Sequence, residues 1–515
     1  MIQRSLFQKL RKLPAGDFGW RRLVADSKEI QIPGSTHQVK LPLFNVIHIS
    51  DTHICDAQSP ARVEYLDRFA DPHHPASAIV GSLIGTYRAQ EMLTVHVLQN
   101  MIQTINEIEY SPVTGSFIDA VLITGDLTDN AQINEFQWCA TLLEGGTVNP
   151  DSGSPDRWEG AGGDMYSPFF WNPHGTPKGE DDDFPRALYG YPEIPELLDA
   201  IRAPIISPGI KHEVLPVHGN HDALLQGTVA PDQFLRELAK SDLKIFQIPD
   251  EEALRTLLNI TEVGPAQYPP IGNPTYMPVT ADNARDFVDT KIWSSRFSMY
   301  SKESERKYWR KDFGQVKLIA LDTVNPFGGW QGSLDRAQMN WLAEQLETLE
   351  NDLVVITSHH PLQDLFNGYT PHAEARVTHD EIERLLISKK QVIAWICGHT
   401  HQHRITYFGS EPSQGFWQIE TSSLIDWPQQ GRTIEIFLNE NDDICIATAP
   451  FDHQGVVHRD YRELNISDAS HVAGLSRELS LNDWQRRGAP YPIEANEGNP
   501  SDQAALLVLT NRIKG

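Results

Sequence analysis

The sequence predicts an α/β fold, and three observations carry that prediction. Short apolar runs recur along the chain, each ends in a polar turn bearing Gly or His, and helical patterns fill the intervals between them. The runs are 44–50, 117–124, 213–218, 316–321, 353–358 and 391–397. Runs this short and this apolar suit buried strands that deliver residues to a site at their C-terminal ends. Between them, 86–109 has apolar residues at helical spacing, 130–143 follows the second strand, and 334–349 reads as an amphipathic helix. Thr378 and Glu381 stand at capping-box spacing before a further helix that runs to about Ile387. After His403 the pattern changes to short strands at 416–421, 433–438 and 444–448, an antiparallel closing element.

Three long stretches rich in Pro, Gly and aromatics, 54–85, 147–211 and 223–293, interrupt this rhythm and are read as insertions into one frame spanning 41–450. Residues 451–515 are read as a C-terminal extension packing on that frame. Composition bounds what the frame can do. Of 515 residues 40% are hydrophobic, which excludes wholesale disorder. With 43 Lys and Arg against 69 Asp and Glu, the formal charge is −26, which disfavours extended nucleic acid and anionic membrane surfaces as partners. Cys55, Cys139, Cys397 and Cys445 form no CxxC pair and fit reduced thiols. Neither a signal-peptide core nor an 18-residue apolar segment is present, so the expected location is cytoplasmic.

Five segments at predicted strand ends carry the chemistry. They are Asp51-Thr52-His53, Gly125-Asp126-Leu127-Thr128-Asp129, Gly219-Asn220-His221-Asp222, Ser358-His359-His360-Pro361 and Gly398-His399-Thr400-His401. Any one alone would read as a turn with capping residues. Together they supply carboxylate, imidazole and amide donors without thiolate, a set that suits Mn²⁺, Fe or Zn²⁺ better than Ca²⁺. Asp51, His53, Asp126, Asn220, His359, His399 and His401 are too many donors for one tetrahedral ion, so two metals are expected. Such ions lie roughly 3.5–4 Å apart and need a carboxylate between them.

The order DxH, GDxxD, GNHD, H, GHxH resembles the calcineurin-like metallophosphoesterases, a superfamily that includes purple acid phosphatases and class III cyclic-nucleotide phosphodiesterases. Within it, the stretch His48-Ile49-Ser50-Asp51-Thr52-His53-Ile54 is most similar to the phosphodiesterase-like branch. The resemblance implies a four-layer α/β/β/α sandwich of two mixed β-sheets flanked by helices. It also implies that Asp51, His53 and His401 hold a first metal, that Asn220, His359 and His399 hold a second, and that Asp126 bridges them. His359 is preferred over its neighbour His360 as the ligand before Pro361. Purple acid phosphatases carry a metal-binding Tyr three residues past the bridging Asp; here that position is Asp129, so no tyrosinate colour is expected. By the same resemblance Asp129 pairs with His221.

These residues imply a dinuclear phosphoester hydrolase, acting by preference on a small phosphodiester, with a phosphomonoesterase and a catalytically silent scaffold as alternatives. A water held between two dications is ionised near neutral pH and would attack phosphorus, and His221 would donate the proton to the leaving oxygen. His48, His218 and His403 are read as either outer partners that fix ligand tautomers or ordinary core and surface residues, and Asp222 as a turn former. Arg62, Arg68, Arg88, His73 and His74 are assigned to the first insertion and read either as contacts to the substrate's phosphate from a lid or, by preference, as solvated surface, and Cys55 is read as a buried thiol.

Overall fold

In the computed structural model, β-strands and helices alternate as the periodicity predicts. The structure describes the chain outside residues 1–6, 33–37, 72–73, 81–86, 165, 250, 252–272, 298–305, 412, 459, 487–491, 511 and 513–515. His73 lies outside the described residues.

Two six-stranded mixed sheets form the frame. The first runs in the order β10 (Trp309–Phe313), β11 (Val316–Ala320), β12 (Leu353–Thr357), β13 (Val392–Cys397), β15 (Gln414–Glu420) and β14 (Arg404–Glu411). The second runs β18 (Ala505–Leu509), β17 (Ile444–Asp452), β16 (Gln430–Asn439), β3 (Val39–Ile49), β4 (Ala120–Ile123) and β7 (Val214–Pro216). In the first sheet β11, β12, β13 and β15 are parallel; in the second, β3, β4 and β7 are. Antiparallel neighbours close the edges. The remaining strands, β1 (Gln8–Lys12) with β2 (Leu23–Glu29), β5 (Gly146–Val148) with β6 (Ile205–Ser207) and β8 (Leu243–Gln247) with β9 (Thr275–Pro278), form three separate two-stranded pairs.

Side-chain alternation sets the layers. On β12 and β13, Val355, Ala394 and Ile396 join one core with Val46, Ile49, Val121 and Ile434 of the other sheet. Val354, Ile356 and Trp395 point the opposite way, into a second core with Leu342 and Leu346 of the helix Arg336–Thr348 and with Ile382 and Leu386 of the helix His379–Ile387. A period of two permits this only because both faces of the sheet are covered, which is why the runs read as continuously apolar. The other sheet is covered by the helices Thr94–Ile105 and Ile133–Glu144 through Leu98, Met101, Phe136 and Leu142. The result is the helix, sheet, sheet, helix arrangement that the resemblance implied.

Two local expectations change. The predicted helix over 86–109 is α-helical only from Thr94 to Ile105, because Tyr87 and Arg88 are held by side chains: the Tyr87 N–H donates to Asp67 and the Arg88 N–H to Glu91. Thr378 does occupy the N-cap of its helix, but its side chain makes no capping bond. Past residue 451 the chain is more ordered than its polar composition suggests. The helix Ala469–Leu481 packs on Thr94–Ile105, and β18 pairs with β17 at the edge of the second sheet.

Candidate dinuclear metal site

Parallel strands end on the same side of a sheet, so the loops after them converge. Asp51 and His53 follow β3, Asp126 follows β4, and Asn220 and His221 follow β7. From the facing sheet come His359, after β12, and His399 and His401, after β13. Bonds between the sheets hold the two groups together. The His359 Nδ1–H donates to the Thr124 carbonyl at 2.7 Å, and the His399 main-chain N–H donates to Asp51 Oδ2 at 3.1 Å. Across the site, His359 Nε2 lies 3.1 Å from Asp126 Oδ2 and 3.1 Å from His399 Nδ1, while His401 Nε2 lies 3.4 Å from Asp51 Oδ1.

The turns that achieve this are strained. Asp51, His53, Asp126, His399 and His401 have φ of 53°, 42°, 50°, 72° and 57°, in the left-handed region. Each such residue costs on the order of 1–3 kcal/mol and persists only where its surroundings over-determine it. In DxH and HxH the intervening side chain turns away and is anchored in the frame: the Thr52 hydroxyl donates to the Leu127 carbonyl and the Thr400 hydroxyl to Glu420, both at 2.9 Å. Gly398 is required because a Cβ there would stand 1.9 Å from Ser50 Oγ and 2.5 Å from Asp51 Oδ2.

The donor atoms fit a pair of cations. Asp51 Oδ1, His53 Nε2 and Asn220 Oδ1 are buried and have no hydrogen-bond partner among the described residues, although buried polar atoms are nearly always paired. The opposite end of each group is tied down: His53 Nδ1 meets Asp129 Oδ1 at 3.0 Å, and Asn220 Nδ2 donates to the Gly227 carbonyl at 3.0 Å. Asp51, His53 and His401 form one cluster with metal-ligand spacing, and Asp51, Asp126 and His359 another. A carbonyl only accepts, so the proton of neutral His359 sits on Nδ1 and its Nε2 offers a lone pair. His360 is different. Its Nε2–H donates to the Trp330 carbonyl at 2.9 Å and its Nδ1 meets the Thr323 hydroxyl at 2.8 Å, so both ring nitrogens are engaged although it neighbours His359 and His399.

Electrostatics in the ion-free chain reflect the crowding. Burial pushes the Asp126 carboxyl up, but His359 and His221 outweigh it and hold the carboxyl well below its ordinary value. Burial pulls His359 and His401 down, yet Asp126 raises the first and Asp426 with Asp51 the second, both to about 9. In the ion-free chain His359 and His401 therefore hold protons that a bound cation would displace.

Asp129 and His221 differ from the expected pairing. The Asp129 carboxylate is 3.8 Å from His221 Nδ1, too far for a hydrogen bond, and serves His53 and Arg62 instead. His221 is oriented by the Asp129 main-chain carbonyl, to which its Nδ1–H donates at 2.6 Å. Asp129 thus reaches His53 through its carboxylate and His221 through its main-chain carbonyl. The His221 main-chain N–H donates to Asp126 Oδ1 at 2.8 Å, which places the histidine beside the central carboxylate.

The arginines of the first insertion are not solvated. Arg62 is buried at 1% exposure, with Nη1 2.7 Å from Asp129 Oδ2 and in contact with Cys55 Sγ. Arg68 is buried against main-chain carbonyls of Tyr65 and Ile248, and Arg88 Nε lies 3.1 Å from Asp426 Oδ1. Opposite charges placed far away in sequence explain the burial, since an arginine leaves water only where carboxylates or carbonyls replace it. His74 is half-buried against Phe69. Asp222 closes its turn by accepting from the N–H groups of Leu127, Thr128 and Gly219. His48, His218 and His403 are buried and bonded to Thr124 and Thr421, to Asp322, and to Gln430 and Arg432 respectively. All four cysteines are free, buried thiols.

Sequence reasoning missed Asp426, whose Oδ2 is 2.7 Å from His401 Nδ1. The available signal was its place in a polar turn, Thr421-Ser422-Ser423-Leu424-Ile425-Asp426, after a strand that ends beside β13.

Residues 189–403 match the family model "Calcineurin-like phosphoesterase". Over 152 residues the chain is 30% identical to tartrate-resistant acid phosphatase type 5 of Sus scrofa, a match that covers 25% of this chain and 42% of that one. The chain thus spans less than half the length of that curated relative. Among solved structures, a purple acid phosphatase from yellow lupin (Lupinus luteus) seeds aligns with a TM-score of 0.33 at 9% identity, covering 83% of this chain and 54% of that one. A calcineurin-like phosphoesterase of Bacillus subtilis aligns with a TM-score of 0.26 at 11% identity, covering 85% and 99%. The matched segment takes in the last three motifs and ends at His403, and the fold brings Asp51, His53 and Asp126 from outside that segment to the same point. Residues 189–403 are thus similar to the calcineurin-like phosphoesterases.

Proposed function

We propose that this chain hydrolyses a small phosphoester at two metal ions held by Asp51, His53 and His401 on one side and Asn220, His359 and His399 on the other, with Asp126 between them. The observation that carries the reading is the set of buried donor atoms that lack a hydrogen-bond partner among the described residues, Asp51 Oδ1, His53 Nε2 and Asn220 Oδ1. When bound, the ions supply charge neutralisation for the phosphoryl oxygens and a water acidic enough to attack phosphorus near neutral pH.

The chain supplies the proton. His221 has a side chain 18% exposed where His53 and His359 are 1% and 0%, so it faces the mouth of the site. Its Nδ1–H is fixed on the Asp129 carbonyl, which leaves Nε2 to meet the leaving oxygen. Burial lowers this imidazole to about 4 in the free chain, with Asp126 opposing. A phosphoester anion bound against Nε2 raises its affinity for the proton it then donates.

A phosphodiester is the favoured substrate, on the likeness of residues 48–54 to the cyclic-nucleotide phosphodiesterase-like branch. The acid phosphatase named among the relatives favours a phosphomonoester instead. The charge of −26 speaks against extended nucleic acid, while two dications leave a small anion free to bind. Turnover by the metal-reconstituted chain on bis-p-nitrophenyl phosphate, p-nitrophenyl phosphate, cyclic nucleotides and glycerophosphodiesters decides between them. Faster hydrolysis of diesters is expected; a preference for p-nitrophenyl phosphate selects the monoesterase, and inactivity on all four selects a silent scaffold.

A further inference from the structure

The two histidines of the first metal position are backed by charge that reaches well beyond the site. His53 Nδ1 meets Asp129 Oδ1 at 3.0 Å, and His401 Nδ1 meets Asp426 Oδ2 at 2.7 Å. Each carboxylate gives its other oxygen to an arginine, Asp129 Oδ2 to Arg62 Nη1 at 2.7 Å and Asp426 Oδ1 to Arg88 Nε at 3.1 Å. The arginines are then joined. Glu91 Oε2 lies 2.8 Å from Arg62 Nη2 and accepts the Arg88 main-chain N–H at 3.0 Å. Arg62, Asp129, Asp426 and Glu91 are all at most 4% exposed.

Among the described residues nothing comparable backs His359 or Asn220 at the second position, whose outer atoms rest on the carbonyls of Thr124 and Gly227. A carboxylate behind a metal-ligating histidine fixes its tautomer and orientation and raises its basicity. A guanidinium, planar and permanently charged, holds two such groups in a fixed relation. Further polar neighbours complete the cluster: Glu64 lies 3.8 Å from Arg62 Nε, Gln90 donates to Asp426 at 3.3 Å, and Arg486 adds positive charge near Asp426.

We propose that Arg62, Glu91 and Arg88 form a single clamp that positions His53 and His401 together, so that affinity at the first metal position depends on residues that touch no ligand. The inference rests on the dinuclear reading given above, and it makes Arg62, Arg88 and Glu91 part of the metal-binding machinery. All three are positioning residues, acting through Asp129 and Asp426.

The test is calorimetric titration of the ion-free full chain with Zn²⁺ and with Mn²⁺, backed by elemental analysis. The wild-type chain should bind two equivalents. Arg88→Met and Glu91→Gln should each weaken one equivalent about 10–100-fold and leave the other unchanged. Arg88→Lys should recover part of the loss, and the double variant should fall short of the sum of the single effects, because both act through one network. Should Arg88→Met fail to fold by circular dichroism, the isosteric Asp426→Asn carries the same expectation. Two equivalents with wild-type affinity in the folded variants would overturn the clamp alone, as would equal weakening of both equivalents. Fewer than two equivalents in the wild-type chain would overturn the dinuclear reading itself.

Discussion

The two sheets equip the site with different chemistry. From β3, β4 and β7 come Asp51, Asp126 and Asn220, and with them His53 and His221; from β12 and β13 come only imidazoles, His359, His399 and His401. Both proposed carboxylate ligands therefore stand on one sheet, and the other sheet brings three imidazole donors to meet them. Neither side alone makes a charge-balanced cation site. Docking of the sheets completes it, through the His359 to Thr124 and His399 to Asp51 bonds.

That comparison is broken most severely by removing the carboxylate that both sides share. Asp126→Asn is expected to lose at least one ion by elemental analysis and roughly 10³-fold or more in turnover, the equivalent of several kcal/mol of charge stabilisation; retention of both ions would refute the bridging role. His221→Ala, on the carboxylate-bearing sheet but outside the ligand set, should separate chemistry from metal binding. Turnover should fall by about 10²–10⁴-fold with a full metal complement, and unchanged turnover would discard His221 as the acid.

Ion removal probes the docking itself. If cations tie the sheets together, chelation should lower Tm, and free metal at 100 times Kd should restore about 2.7 kcal/mol of stability, read by differential scanning calorimetry. A Tm indifferent to metal would mean that the sheets are held by the protein alone.

The smallest effect concerns acid. His48 on β3 bonds Thr124 beside it and Thr421 on the facing sheet, and burial, aided by Arg432, lowers it to about 3. His96, in the helix over the second sheet, is lowered by burial to about 4. Both groups take up a proton more readily when unfolded, so their contribution is full above about pH 6.5 and is lost as pH falls from there toward 4 and 3. In urea midpoints measured across that window, His96→Gln should remove the share of the pH dependence that His96 contributes, so that the variant loses less stability than the wild-type chain as pH falls from 6.5 toward 4.

Much of this site was legible in the chain because its parts are local. A strand end followed by DxH or GHxH is written in consecutive residues, and so is the choice of carboxylate, imidazole and amide over thiolate. The insertions were harder. Arg62 and Arg88 look like solvated cations beside polar neighbours, and only the placement of Asp129, Glu91 and Asp426 around them makes Arg62 buried and Arg88 half-buried. The pairing expected for Asp129 failed for a related reason. Its carboxylate and its carbonyl point in different directions, and sequence does not distinguish them.

By itself the sequence determined the layered α/β architecture, the five motif positions and the donor chemistry, since apolar period and short-range spacing are properties of neighbouring residues. Tertiary structure alone decided which atom of each donor faces the site. His359 turns Nε2 inward because Thr124, 235 positions away, accepts its Nδ1–H, and His399 is seated by a carboxylate 348 positions away. Such partners are set by how the two sheets dock, and a hydrogen bond, which weakens steeply as its geometry departs from the ideal, converts that docking into a single orientation for each ring.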